Sequence, residues 1–184
     1  MKKEEIIKIF KNGGVGVIPT DTIYGLVGDA LSKKAVERIY EIKGRDKKKP
    51  FIVLISSIKD LKKFGINIQS QNLNILNKFW PGNVSIVLPC NNKKFEYLHR
   101  GIKAVAFRLP SKKFLLEILK KTGPLVSTSA NLSYLKSAEN ITEAKKYFKN
   151  NVDFYLSGGT LRGKPSMLIK LNKNEEIDVL RGKL

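Results

Sequence analysis

One cysteine (Cys90) and one histidine (His99) occur in 184 residues. A single thiol excludes an internal disulfide, and the pair is too small for the usual His/Cys metal clusters. Neither has a catalytic partner near it in sequence, so both read as structural or exposed groups. Long hydrophobic runs are absent too. Met1-Lys2-Lys3-Glu4-Glu5 leads into an amphipathic pattern without a signal-peptide core, so the expected compartment is the cytoplasm, with no membrane partner. Acidic residues are scarce: 16 against 35 lysines and arginines, a net charge of +19. Lysine supplies 29 of those 35, spread evenly along the chain with no basic tail. That distribution reads as a general compositional bias rather than a dedicated patch, although its long-range field attracts polyanions.

What is present describes one soluble α/β domain over residues 1–184. Apolar residues make up 42% and charged residues 28%, enough for one core and too little chain for two. Ile6, Ile7, Ile9 and Phe10 suggest a first helix, stopped by Asn12-Gly13-Gly14. Ser32 caps a second, with Ala35, Val36, Ile39, Tyr40 and Ile42 at helical spacing. Further helices are expected over 59–64, 73–80, 142–148 and after Ser111. Strands are expected at 15–18, 51–55, 84–88, 104–107, 125–126, 154–156, 167–171 and 177–180. Residues 91–102 and 157–165 carry the least pattern, and either is a candidate mobile flap. Alternating elements with short connections predict a mixed sheet flanked by helices.

The most telling stretch is Gly14-Val15-Gly16-Val17-Ile18-Pro19-Thr20-Asp21-Thr22-Ile23-Tyr24-Gly25-Leu26. A buried strand breaks at a proline into hydroxyls, a carboxylate and an aromatic, the kind of strand-end loop where α/β proteins keep ligand sites. Lys43 and Arg45 lie two apart at a helix end, either as part of a solvated basic loop or, one a point charge and the other a planar fork, suited to different oxygens of one triphosphate. Ser129 and Asn131, two apart in an extended segment, face one side together. Arg108 emerges from the apolar Val105-Ala106-Phe107 and needs an anionic partner, whether a ligand or a structural carboxylate. Two decoys fall away. Gly158-Gly159-Thr160-Leu161-Arg162-Gly163-Lys164 has P-loop spacing, but Pro165 stands where the metal-binding hydroxyl belongs. Gly14-Val15-Gly16 precedes its strand, whereas a dinucleotide fingerprint follows one.

Pro19–Leu26, Lys43-Gly44-Arg45 with Lys49-Pro50, Trp80-Pro81-Gly82, Val105–Pro110, Ser127-Thr128-Ser129-Ala130-Asn131 and Val179-Leu180-Arg181-Gly182 occur in one order. In that order and spacing the chain resembles the YrdC/TsaC-type threonylcarbamoyl-AMP synthases, in their short single-domain form. The resemblance implies a twisted mixed β-sheet flanked by helices around a central concave basic cavity. It implies that L-threonine, bicarbonate and ATP give threonylcarbamoyl-adenylate and pyrophosphate. That product passes to downstream tRNA threonylcarbamoyl-transfer proteins, for modification of tRNA adenosine 37. Lys43, Arg45, Ser129 and Asn131 match the family's catalytic tetrad. Arg45, Lys49, Ser129, Ser137 and Arg181 match ATP contacts, and Thr22, Arg108, Ser127 and Ser166 match threonine contacts. Tyr24 is expected in the pocket wall. No residue is expected to be a direct metal ligand: Mg2+ is expected mainly on the phosphates, with Asp21 a candidate outer contact.

Two departures from the family pattern stand out. Asn83-Val84-Ser85 replaces Pro-x-Thr after Pro81-Gly82, and Tyr134 stands where a glycine is usual. An RNA-binding module of the same fold without adenylation activity is the alternative from another class, favoured by the charge and opposed by the lack of a stacked-aromatic RNA motif. Weak tRNA binding is compatible with either.

Overall fold

Val15-Gly16-Val17-Ile18-Pro19 is buried at every position and forms β1 (Val15–Pro19), an interior strand. In the computed structural model, which describes residues 1–171 and 176–183, β1 anchors a nine-stranded sheet. The other strands are β2 (Tyr24–Asp29), β3 (Ile52–Leu54), β4 (Val84–Pro89), β5 (Ala104–Arg108), β6 (Leu125–Ser129), β7 (Phe154–Tyr155), β8 (Met167–Leu171) and β9 (Ile177–Arg181). Their spatial order is β7-β1-β2-β6-β3-β5-β4-β8-β9. Parallel pairs (β1/β7, β3/β5, β4/β8) mix with antiparallel ones, as expected.

Among the described residues six α-helices decorate the sheet: α1 (Lys3–Lys11), α2 (Lys33–Lys43), α3 (Ser70–Phe79), α4 (Glu96–His99), α5 (Lys113–Thr122) and α6 (Ile141–Phe148). Ile6 and Phe10 of α1 pack with Leu115, Ile118 and Leu119 of α5 onto Ile18, Val27, Leu54 and Leu125 of the sheet. The opposite face carries the larger core, where α2 and α6 meet Val15, Val17, Leu26, Val53, Phe107 and Val126. Strand alternation divides the residues between the two faces. On β5, Val105 and Phe107 enter the larger core, while Ala104, Ala106 and Arg108 point to the other side, where α1 and α5 do not reach. That uncovered part of the sheet is the floor of the site.

The chain departs from expectation in four places. Residues 24–29 are a strand, not the end of a loop. Their glycines are there because a Cβ at Gly25 would press on Ser127 Oγ at 3.0 Å, and one at Gly28 on Ile39 and Val15, also at 3.0 Å. Residues 91–102 fold into a 3₁₀ turn (Lys93–Phe95) and α4, with Phe95, Leu98 and His99 buried, so they are not a patternless flap. Residues 58–64 form a 3₁₀ helix rather than an α-helix, with Asp60 bonded back to the Ser56 and Ser57 amides. Ser111 does not cap α5; its amide donates to Asp21 Oδ2 instead (3.2 Å).

Candidate active site

The site begins with helix α2. Ser32 Oγ accepts from the Ala35 amide and starts the helix, and Ala35, Val36, Ile39 and Tyr40 form its buried stripe. Lys43 lies four residues beyond Ile39 and so continues that stripe inward. It is 2% exposed. Gly44 then ends the helix in the left-handed region (φ 60°), where the Arg45 amide returns to the Tyr40 carbonyl. The backbone thus sends Lys43 inward and Arg45 to the cavity wall.

Lys43 Nζ reaches the strand end opposite. It donates to the Ser129 carbonyl (2.7 Å), the Asn131 carbonyl (2.8 Å) and Asn131 Oδ1 (2.8 Å), with Ser129 Oγ at 3.4 Å. All four acceptors are formally neutral. Burial, with a smaller contribution from the Arg45 charge, pulls the Lys43 ammonium down to about 7. Asn131 is also spent within the protein, its Nδ2 donating to the Leu135 carbonyl.

Two cavities meet here. The larger, about 360 Å³, lies on the open sheet floor. Ile52, Leu54, Val87, Ala104, Ala106 and Leu168 give it an apolar base, and Ile102 and Leu180 an apolar rim. Its polar end holds Thr20, Thr22, Ser127, Ser129, Ser166 and three guanidiniums, Arg45, Arg108 and Arg181, with no carboxylate in its lining. The smaller, about 210 Å³, is lined by Lys43, Arg45, Asp46, Lys49, Ser129, Asn131, Ser133 and Tyr134. Arg45 and Ser129 belong to both linings and form the wall between them.

Each arginine is held differently. Arg108, 3% exposed, pairs through Nη2 with Asp21 Oδ1 (3.1 Å), and its Nη1 donates to Thr22 Oγ1 (3.1 Å). Its buried Nε has no partner among the described residues. Asp21 is therefore Arg108's counter-ion. Arg181 donates from Nε and Nη2 to the Ser166 carbonyl (3.1 and 2.9 Å) and from Nη2 to Ser166 Oγ (3.2 Å), while that hydroxyl also shares a hydrogen bond with buried Ser85 (2.9 Å). Arg45 donates from Nε to the Lys49 carbonyl (2.9 Å) and lies over the Phe51 ring (5.4 Å). Burial lowers the pKa of all three, and the charge of Arg181 on Arg108, and of Arg45 on Arg181, lowers it further. Arginine does not respond by losing its proton. Three mutually repelling guanidiniums against one buried carboxylate make this end of the cavity a site for anions.

Tyr24 contributes more than a wall. Its hydroxyl donates to the Gly159 carbonyl (2.7 Å) and accepts from the Gly158 amide (2.8 Å). A Cβ at Gly163 would run into the Thr22 carbonyl oxygen. The exposed stretch 157–165 is thereby laid across the 19–24 turn and delivers Pro165 and Ser166 to the cavity.

Of the eleven residues expected in the site, ten line the two cavities; Ser137 lines neither. The sequence reading missed the Asp21–Arg108 pair, the Ser85–Ser166 contact and the apolar floor. Small residues alternating with large ones in Ala104-Val105-Ala106-Phe107 were the available sign of a strand with an open face.

With this geometry in view, the comparisons with known proteins define the class. The Sua5/YciO/YrdC family model, described as telomere recombination, matches residues 8–182, and the chain belongs to that family. A Hahella chejuensis protein named threonylcarbamoyl-AMP synthase is 30% identical over 84% of this chain and 85% of its own. One of the same name from Pyrococcus abyssi is 30% identical over 89% of this chain and 48% of its own. The chain thus spans about half the length of that relative. The structure of P. abyssi Sua5 complexed with L-threonine superimposes with a TM-score of 0.85 at 29% identity, over 92% of this chain and 50% of that one. No helix among the described residues is long and apolar enough to cross a membrane.

Proposed function

We propose that this protein is a threonylcarbamoyl-AMP synthase. The threonine amine and bicarbonate give a carbamate with loss of water. A carbamate oxygen then forms a bond to the α-phosphorus of ATP as the bond to the bridging oxygen of pyrophosphate breaks. The adenylate formed supplies the threonylcarbamoyl group for tRNA adenosine 37, through separate transfer proteins. Membership of the family, and relatives carrying this name, support the chemistry.

The observation that carries the reading is the shared wall: Arg45 and Ser129 stand between an apolar-floored cavity ending in guanidiniums and a small polar basic one. Threonine belongs at the Arg108 end. The Arg108 guanidinium at that end offers its carboxylate a positive charge, with Thr22, Ser127 and Ser166 as further polar partners. The adenosine lies over the apolar floor and the α-phosphate at the wall. The two terminal phosphates enter the smaller cavity beside Lys49, whose ammonium lies 6.0 Å from the Tyr134 ring centroid. Arg45 is placed to offset the charge growing on the leaving oxygens.

Magnesium fits as a phosphate-borne ion. Among the described residues no group of three His, Cys, Asp or Glu is placed to hold a metal, and Asp46 is the one carboxylate in either lining. Pyrophosphate release from ATP with magnesium and bicarbonate tests the proposal. Release should depend on L-threonine and fail with valine. Release indifferent to the amino acid would contradict it.

A further inference from the structure

Four residues, Lys43, Arg45, Ser129 and Asn131, meet at the end of α2, but they do not face the cavities alike. An ammonium has three N–H donors, and four protein oxygens lie within reach of Lys43 Nζ. Asn131 likewise spends its carbonyl oxygen on Lys43 and its amide on Leu135. Both are buried. Around them the loop is tied by short backbone bonds: Ser133 N to the Lys43 carbonyl (2.9 Å), Asn131 N to the Ser129 carbonyl (3.0 Å) and Ala138 N to the Ala130 carbonyl (3.0 Å). Arg45 and Ser129 instead line both cavities.

We infer that Lys43 and Asn131 are positioning residues, a buried clamp that holds the loop 129–138 against the end of α2, and that Arg45 and Ser129 are the pair left to meet the reacting phosphate. The ammonium has no donor to give a ligand without releasing an oxygen of the loop. Its function is to fix where the Ser129 hydroxyl stands relative to the Arg45 fork. A neutral side chain of similar length would fill the channel and leave three or four oxygens without their charged donor. The loop would then open locally while the sheet stayed intact.

The assignment of Arg45 and Ser129 to the reacting phosphate rests on the function proposed above; the clamp itself does not. Amide hydrogen exchange on the free protein tests it, with ATP binding by calorimetry measured in parallel. Lys43→Met should speed exchange of the Ser133 and Ala138 amides about tenfold or more, while amides of β1 and β3 keep their protection. Arg45→Met should leave that loop protected as in the wild type and abolish ATP binding. Asn131→Ala, which keeps the buried ammonium, should speed the same loop amides and covers the case in which Lys43→Met does not fold. Loop protection unchanged in Lys43→Met, or in Asn131→Ala where that variant stands in, overturns the clamp, and lost ATP affinity with it would assign the residue to the nucleotide directly. A wild-type protein that binds no ATP would overturn the proposed function, and the exchange data would still decide the clamp.

Discussion

Lys43 carries an unusual electrostatic load, and its consequence for stability can be worked out. An ammonium among neutral oxygens, 2% exposed, is driven from 10.5 down to about 7 by burial first and Arg45 second. Below pH 7 both the folded and the unfolded chain hold the proton, so the group contributes no pH dependence and the fold bears the full cost of the buried charge. Between pH 7 and 10.5 the folded chain has released a proton that the unfolded chain still binds. Stability then rises with pH, by up to about 1.4 kcal/mol per unit for this one group. Integrated from pH 7 to pH 9, the gain is about 2 kcal/mol. Lys43→Met removes this contribution and leaves the other titrating groups in place. Urea unfolding of both proteins at pH 7, 8 and 9 gives the difference in stability at each pH. The wild type should gain on the variant by about 2 kcal/mol across that range. A difference that stays flat would refute a buried, uncompensated ammonium, and a difference that moves the other way would mean that Lys43 has an anionic partner.

Three further expectations follow from the same geometry. Asp21→Asn leaves the Arg108 guanidinium buried without its counter-ion and should cost about 3–5 kcal/mol in chemical denaturation; a loss below about 1 kcal/mol would show that Arg108 has another anion. Tyr24→Phe removes both hydrogen bonds to Gly158 and Gly159. It should make residues 157–165 a preferred site of limited proteolysis with the core still resistant, and a digestion pattern identical to wild type would remove the latch. Gly163→Ala drives a methyl into the Thr22 carbonyl, so the loop must shift from the cavity. The KM for threonine should rise severalfold with little change in melting temperature, and an unchanged KM would detach that loop from the site.

Much of this was legible in the sequence because the chemistry is local. The ladder Ala35, Val36, Ile39, Tyr40 fixes the face of α2, and its phase alone sends Lys43 inward. The open floor went unread although Ala104, Ala106 and Ser127, small residues on one side of their strands, mark it. Other features were hidden because they depend on pairings far apart in the chain. Asp21 and Arg108 meet only because the 20–23 turn lies beside the end of β5. Tyr24-Gly25-Leu26 read as the end of a loop because Gly25 looks like a turn residue, whereas it answers to the Ser127 side chain on the neighbouring strand. Spacing also cannot tell how many of the Lys43 donors the fold has already used.

Mass spectrometry of a reaction with 13C-bicarbonate, L-threonine, ATP and magnesium shows whether one adenylate joins all three substrates. The expected product is an adenylate of threonine that carries one 13C, formed in equal amount with pyrophosphate and absent when threonine is left out. Pyrophosphate accompanied only by AMP and unlabelled material, from a folded protein with ATP bound, would contradict it.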